Sequence, residues 1–423
     1  MMSERVGNRL LVVIGGVVVQ ICLGTIYAWS IFQSALVATH YSWPATNALL
    51  PFAAGLASFA GFMVLAGRWQ DRAGPRKVAT FGGLLLGLGY ILASLIDMLA
   101  LDTTTGTLFL IMTYGLVGGA GIGFAYVCPI AALVKWFPDK KGAITGVAVA
   151  GFGGGALVFS YVEEYLIALN GGLVGTPFLT LGLIYLVVVI GGSQLLRNPP
   201  AGWTPPGFVP KPTTADASGV SLTPREMIRT SRFKMLWLMF FLAATAGLMT
   251  LGMVKSAAAD VDPLVVPLFL GPLIAGIMSI FNAAGRIVWG TISDRIGRRL
   301  TMTIMFLVLS MAMFSFALVA SLPPAEGRWI VVTVIASTVG FCFGGNFALF
   351  PSATADYFGT SNVGKNYGVV FTAYGFAGIL GALVAGYMKD WTGSYYMAFI
   401  ITGILAIFAM LVTLFLKKTE KEQ

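Results

Sequence analysis

The sequence predicts an all-α membrane protein of twelve transmembrane helices, arranged as two related halves of six. Three observations predict it. The 423 residues are 57% hydrophobic and only 10% charged, with a mean hydropathy of +0.86, whereas water-soluble domains carry about 25% charged residues. Apolar runs near the ~20 residues needed to cross a bilayer recur twelve times along the chain. The basic residues cluster between those runs, almost all on one set of alternate turns.

The first run, residues 10–32, follows Arg5 and Arg9 and superficially resembles a secretion signal. It is too long for the apolar core of a signal and lacks a small-residue cleavage site, so it reads as a first span. Spans two to six follow at 45–66, 78–98, 108–134, 143–169 and 173–196. Residues 197–234 hold Pro199, Pro200, Pro205, Pro206, Pro210, Pro212 and Pro224. Proline and polar side chains at that density make a linker, not a packed domain. Six further spans are expected at 235–259, 264–289, 300–321, 329–350, 367–388 and 395–416. The expected organisation is a six-helix bundle over 1–196, a linker over 197–234 and a second bundle over 235–423.

With the N-terminus placed inside, the inner turns collect twenty-two Lys and Arg, and the outer turns only Lys255, Arg328 and Lys389. Basic residues mark the cytoplasmic side. Both termini and the linker are therefore expected in the cytoplasm, in a multi-pass protein of the plasma (inner) membrane. The net charge of +9 reports orientation, not a nucleic-acid partner. Cys22, Cys128 and Cys342 sit inside apolar runs and imply no disulfide framework. With His40 the single histidine, no catalytic constellation, metal site or cofactor is expected, and the chain is not read as an enzyme. Gly119-Ala120-Gly121-Ile122-Gly123 and Gly151-Phe152-Gly153-Gly154-Gly155 look like phosphate loops. They lie in apolar spans with no preceding strand, so close helix packing explains them. Glu163 and Glu164 are expected at a hydrated outer mouth of span five.

The two halves repeat a turn. After span two comes Gly67-Arg68-Trp69-Gln70-Asp71-Arg72-Ala73-Gly74-Pro75-Arg76-Lys77, and after span eight Gly290-Thr291-Ile292-Ser293-Asp294-Arg295-Ile296-Gly297-Arg298-Arg299. Both read G-x-x-x-D-R-x-G, offset by 223 residues. Glycines permit the tight turn, and the Asp can face a helix N-terminus. This turn resembles the signature loop of the major facilitator superfamily. The resemblance implies two six-helix bundles with a substrate site between them at mid-membrane. It also gives Gly67, Asp71, Arg72, Gly74 and Arg76, with Gly290, Asp294, Arg295, Gly297 and Arg298, a part in conformational change. Trp136-Phe137-Pro138-Asp139-Lys140-Lys141-Gly142, Phe347-Ala348-Leu349-Phe350-Pro351-Ser352, Asn366-Tyr367-Gly368 and Asn282-x-x-x-Arg286-x-x-x-Gly290 resemble the oxalate/formate carriers, which group with bacterial homologues of the monocarboxylate transporters.

Arg286 is the basic residue left inside a span. Burying it costs at least ~2.5–3.5 kcal/mol, so it needs a partner. It lies eight residues before Asp294, or about 12 Å along a helix, which also leaves room for it to snorkel to the interface. Two observations favour a substrate role. The 17 acidic residues all read as lying near loops or span ends, and Ser279 and Asn282 precede Arg286 as a polar stripe. A guanidinium without a partner is a fork shaped for a carboxylate. The resemblance agrees, since the substrate-binding arginine of that group occupies this position.

The same resemblance makes Tyr27, Tyr126, Phe343, Phe347 and Tyr374 an aromatic cage. Tyr374 stands where the oxalate carriers place a second cation, a lysine. One cation suits one carboxylate, which points to lactate, pyruvate, acetate or formate over oxalate. The monocarboxylate transporters take their proton with an acid one turn before the arginine and a lysine in the first span. Asn282 stands at the first position here and the first span has no lysine, so Asp260 or Asp262 near the outer mouth, with Lys389, are the expected acceptors. The expected function is secondary transport of small monocarboxylates, proton-coupled and by alternating access. Its partners would be the carboxylate, protons and the bilayer, and a monomer would suffice. Anion exchange of the oxalate/formate type, or a membrane sensor that only binds the ligand, are the alternatives.

Overall fold

The computed structural model describes residues 9–38, 40–137, 141–200, 203, 205, 222–265, 269–359 and 362–416. Arg5, Pro138, Asp139, Lys140, Pro206, Pro210 and Pro212, all used in the reading of the sequence, lie outside them. Among the described residues, twelve helices are long and apolar enough to cross a membrane. They are α1 (Arg9–Val37), α2 (Ala45–Ala73), α3 (Pro75–Ile96), α4 (Thr103–Trp136), α5 (Lys141–Leu169) and α6 (Gly175–Gln194), then α7 (Ser231–Val261), α8 (Leu270–Ile296), α9 (Arg298–Ser321), α10 (Arg328–Phe358), α11 (Val363–Thr392) and α12 (Tyr396–Phe415). The protein is a multi-pass membrane protein with an all-α fold.

Most helices outrun their apolar runs, and polar caps set two of the starts. Asp102 accepts from the Thr104 and Thr105 N–H groups at 3.0 and 3.3 Å and starts α4 before the apolar run. Thr230 accepts from the Phe233 N–H at 3.1 Å and starts α7 at Ser231. α8 begins later than its run, after Phe269 in the left-handed region at φ 54°. The end of the linker is also more ordered than its composition suggests. Thr223 and Glu226 form a capping box, and the Leu222 N–H donates to the Phe358 carbonyl at 3.0 Å.

The repeated turn has one conformation in both halves. Gly74 (φ 84°, ψ 161°) separates α2 from α3, and Gly297 (φ 89°, ψ 159°) separates α8 from α9. Only glycine adopts that backbone without strain. In the second copy Arg298 donates from Nη1 to Asp294 at 2.7 Å and from Nε to Asp356 of α10 at 3.0 Å. Gly67 and Gly290 lie in the last turns of α2 and α8, while Asp71, Arg72, Arg76 and Arg295 are exposed.

Helices α1–α6 pack as one bundle and α7–α12 as the other. Between them α2 lies along α11, α5 along α8, and α1 touches α7. Moving every helix by six positions turns the α2–α11 contact into α8–α5, which is the pseudo-two-fold relation of the fold. The start of α1, the end of α12 and the repeated turns share one face, the terminal face, where Arg299 of α9 donates to the Leu414 carbonyl of α12 at 2.7 Å. At the opposite face the halves are tied by polar contacts. The Asp390 carboxylate of α11 accepts from the Ala45 and Thr46 N–H groups of α2 at 2.7 and 2.9 Å. Ser256 of α7 donates to Gln33 of α1 at 2.5 Å, and Lys255 of α7 pairs with Glu164 of α5 at 2.5 Å.

Candidate functional site

Ser279, Asn282 and Arg286 are all buried on the face of α8 that meets α5 and α10. The Arg286 guanidinium does not run to the terminal face. Its Nη1 donates to the Val149 carbonyl of α5 at 2.7 Å, and its Nε donates to Asn282 Oδ1 at 3.2 Å. Ser279 Oγ donates to the Gly153 carbonyl, one turn further along α5. A Cβ on Gly153 would stand 3.3 Å from the guanidinium carbon, so glycine here lets α5 approach the charge. Arg286 makes no ion pair with any described residue, and its Nη2 has no hydrogen-bond partner among them. A buried donor without a partner forfeits ~1–3 kcal/mol, more when charged. The charge is buried and incompletely satisfied.

Rings enclose this donor. Phe347 of α10 lies under the guanidinium, 4.3 Å from its carbon to the ring centroid, a favourable cation–π geometry. Tyr27 of α1 and Tyr374 of α11 bring their hydroxyls within 3.1 Å of each other. Tyr27, Tyr126 of α4 and Tyr374 all lie within electrostatic reach of Arg286. Phe343 packs on Phe347 and Tyr27 at centroid distances of 5.3 and 5.8 Å. All five aromatics expected from the sequence thus come together around Arg286 and Asn282. Three more were missed. Phe152 sits 5.0 Å from both Tyr27 and Tyr126, Phe371 4.8 Å from Tyr374, and Phe59 5.1 Å from Tyr126. Phe152 did carry a signal, as the single aromatic in a glycine run. The glycines around it pack helices as expected, Gly155 against Gly24 of α1, but Gly153 serves the arginine.

The other expected groups lie elsewhere. Lys389 Nζ pairs with Asp260 at 2.6 Å, between the ends of α11 and α7 at the opposite face. Arg286 is sixteen residues into α8 from that face, or about 24 Å. Asp262 is fully buried, and its two oxygens accept from the Leu264 and Trp329 N–H groups, both at 2.9 Å. That carboxylate is engaged as a cap for the start of α10, which does not suit a proton acceptor. The outer-mouth account of Glu163 and Glu164 is corrected by the structure: Glu163 is 0% and Glu164 8% exposed. Lys255, assigned above to an outer turn, is likewise buried inside α7. These acids escaped notice because α5 continues as one helix through them, and its far end is covered by α1 and α7.

Comparison with known proteins places the chain. The model of the Major Facilitator Superfamily matches residues 12–382 and 328–423. The oxalate:formate antiporter of Oxalobacter formigenes is 29% identical over 356 residues, covering 84% of this chain and 79% of the antiporter. Apicoplast pyruvate carrier 1 of Toxoplasma gondii is 28% identical over 458 aligned positions, covering 87% of this chain and 81% of the carrier. The solved structure of the xylose transporter XylE from E. coli shares the fold, with a TM-score of 0.71 at 15% identity over 98% of this chain and 97% of that one.

Proposed function

The chain belongs to the Major Facilitator Superfamily, and on that premise we propose that it carries small monocarboxylates through the membrane with a proton. It is a secondary transporter, not an enzyme, of the group that includes the oxalate:formate antiporter and the monocarboxylate transporters. One observation carries the substrate class: a buried arginine that has, among the described residues, no hydrogen-bond partner for Nη2 and no acidic partner, with rings around it. A carboxylate completes that geometry with a charge-assisted fork. Asn282 holds Nε and so fixes the plane of the guanidinium. Tyr27, Tyr126 and Tyr374 offer hydroxyls to the substrate oxygens, while Phe343 and Phe347 exclude water and limit size.

The choice of one carboxylate rests on charge. Among the described residues Arg286 is the cation of the cage, and Tyr374, whose hydroxyl meets that of Tyr27, adds no charge to it. Lactate, pyruvate, acetate and formate need one cation, whereas oxalate needs two. The pyruvate carrier and the oxalate:formate antiporter bracket these options by name.

Coupling follows from electrostatics. Moving one charge against the membrane potential costs ~2.3 kcal/mol per 100 mV. An uptake carrier for an anion therefore needs a cation alongside it, and a proton serves. In this reading the terminal face, with its many basic residues, is cytoplasmic, the membrane is the plasma membrane, and a monomer suffices. Exchange is the second reading. No described acid pairs with Arg286, so an empty cage keeps its positive charge until another anion returns with it. Labelled lactate, formate and oxalate offered to proteoliposomes test the reading. Accumulation of the two monocarboxylates, faster with an acid exterior, is the expected result, and uptake of oxalate alone overturns the substrate class.

A further inference from the structure

Glu163 stands outside the cage and takes no part in it. Its side chain points away from the second half into the first bundle and is fully buried. Oε1 accepts from Thr25 Oγ1 of α1 at 3.1 Å, and Oε2 has no hydrogen-bond partner among the described residues. Tyr185 of α6 donates to Thr25 Oγ1 at 2.6 Å, giving a chain from Tyr185 through Thr25 to the carboxyl. Tyr90 of α3 lies 3.5 Å from the same hydroxyl, Tyr114 of α4 packs on Tyr90 at a centroid distance of 5.3 Å, and Cys22 lies on the adjoining turn of α1. On α5 itself the neighbour is Glu164. These groups are neutral hydroxyls, a thiol and one more acid. Glu163 forms no ion pair with a described Lys, Arg or His. An ionised carboxylate with one hydroxyl partner in such a site is too costly to persist, and neutralises instead. A proton on Glu163 removes that cost.

We propose that Glu163 is the proton-binding site that couples proton movement to carboxylate movement. Two features link it to the transport cycle. Glu164, the next residue, projects to the other side of α5 and pairs with Lys255 of α7 across the halves. When the opposite face opens, α7 leaves α5, this pair parts, and water reaches the adjoining turn. Glu163, as carboxylate, then takes a proton from that side. The second link is α1, whose 3₁₀ turn Gly24–Ala28 carries Thr25 to Glu163 and Tyr27 to the cage. A carboxylate that displaces the Tyr27–Tyr374 contact shifts the same turn and withdraws Thr25, so substrate release and proton release move together.

The inference rests on the proton-coupled reading above, and one experiment separates the two. A pH-sensitive dye inside proteoliposomes reports protons while labelled lactate reports substrate, for wild type and Glu163→Gln. Glutamine copies the protonated carboxyl and keeps the Thr25 contact. Wild type should acidify the lumen and accumulate lactate by up to about tenfold per pH unit of gradient. Glu163→Gln should still exchange lactate for lactate, without acidification and without accumulation. If the variant acidifies as wild type does, the assignment of Glu163 is overturned and the coupled reading stands. If wild type exchanges lactate without moving protons, both fall. Should Glu163→Gln lose exchange as well, Glu163→Asp decides: it keeps a titratable carboxyl and should restore acidification, and its failure to do so overturns the proposal.

Discussion

The hydroxyls of Tyr27 and Tyr374 meet at 3.1 Å, although the two residues stand 347 positions apart and on opposite halves of the molecule. Each hydroxyl is buried and each finds in the other a polar partner within the cage, as buried tyrosines require. The contact closes the side of the cage facing α1 and α11, with Arg286 on the side facing α5 and α8. A substrate oxygen that reaches Arg286 competes for these hydroxyls. In the proposed alternating-access cycle, parting the halves would break the contact as well.

Arg286→Lys should abolish or severely impair transport while expression and folding are kept. Lysine retains the charge but loses the planar fork that reaches Val149, Asn282 and a carboxylate from fixed positions. Uptake of labelled lactate, scaled to protein inserted in the vesicles, measures it. Wild-type uptake in the variant would show that the fork is unused.

Tyr374→Lys should shift preference from monocarboxylates towards oxalate. The new ammonium supplies the second cation, and the shift is modest because a buried lysine stays charged only while a second carboxylate pairs with it. Competition of oxalate and lactate against the same labelled substrate reads the change. An unaltered ratio of the two inhibition constants would refute the one-cation argument.

Gly153→Ala should weaken substrate binding several-fold and leave the fold intact. The added methyl would sit 3.3 Å from the guanidinium, and the neighbouring Arg286 side chain must move by a few tenths of an ångström. Displacement of that order disturbs a positioned charge more than it disturbs packing. A raised KM with an unchanged melting temperature is the expected split. An unchanged KM counts against the close fit.

Glu164→Gln should destabilise the protein by about 3–5 kcal/mol, the usual cost of stranding one member of a buried ion pair. Lys255 is left charged and buried against α8, where its stem packs on Gly271. The double variant Glu164→Gln with Lys255→Met removes both charges and should recover most of the loss. Thermal unfolding in detergent compares the three proteins. Equal melting temperatures for the single variant and wild type would mean that the pair contributes nothing to closing that face.

The sequence by itself determined the features that depend on neighbours along the chain. Hydropathy marked twelve spans because a bilayer asks only for length and apolarity. The positive-φ turns at Gly74 and Gly297 were legible because one residue type suits that backbone. Arg286 stood out because a charge in a span is rare for energetic reasons. Tertiary structure alone decided which side of each helix faces the cage. In a membrane, lipid is as apolar as the protein interior, so lipid-facing and bundle-facing surfaces carry similar side chains and the helical period gives little contrast. Phe59, Phe152 and Phe371 therefore looked like any other apolar residues until α2, α5 and α11 were placed side by side. Glu163 and Glu164 read as a wet pair because adjacent acids near a span end usually are. Their burial was set by α1 and α7 covering the far end of α5, and adjacent positions on a helix point about 100° apart. One carboxyl consequently meets Thr25 and the other Lys255, a division of partners that only the packing of the helices creates.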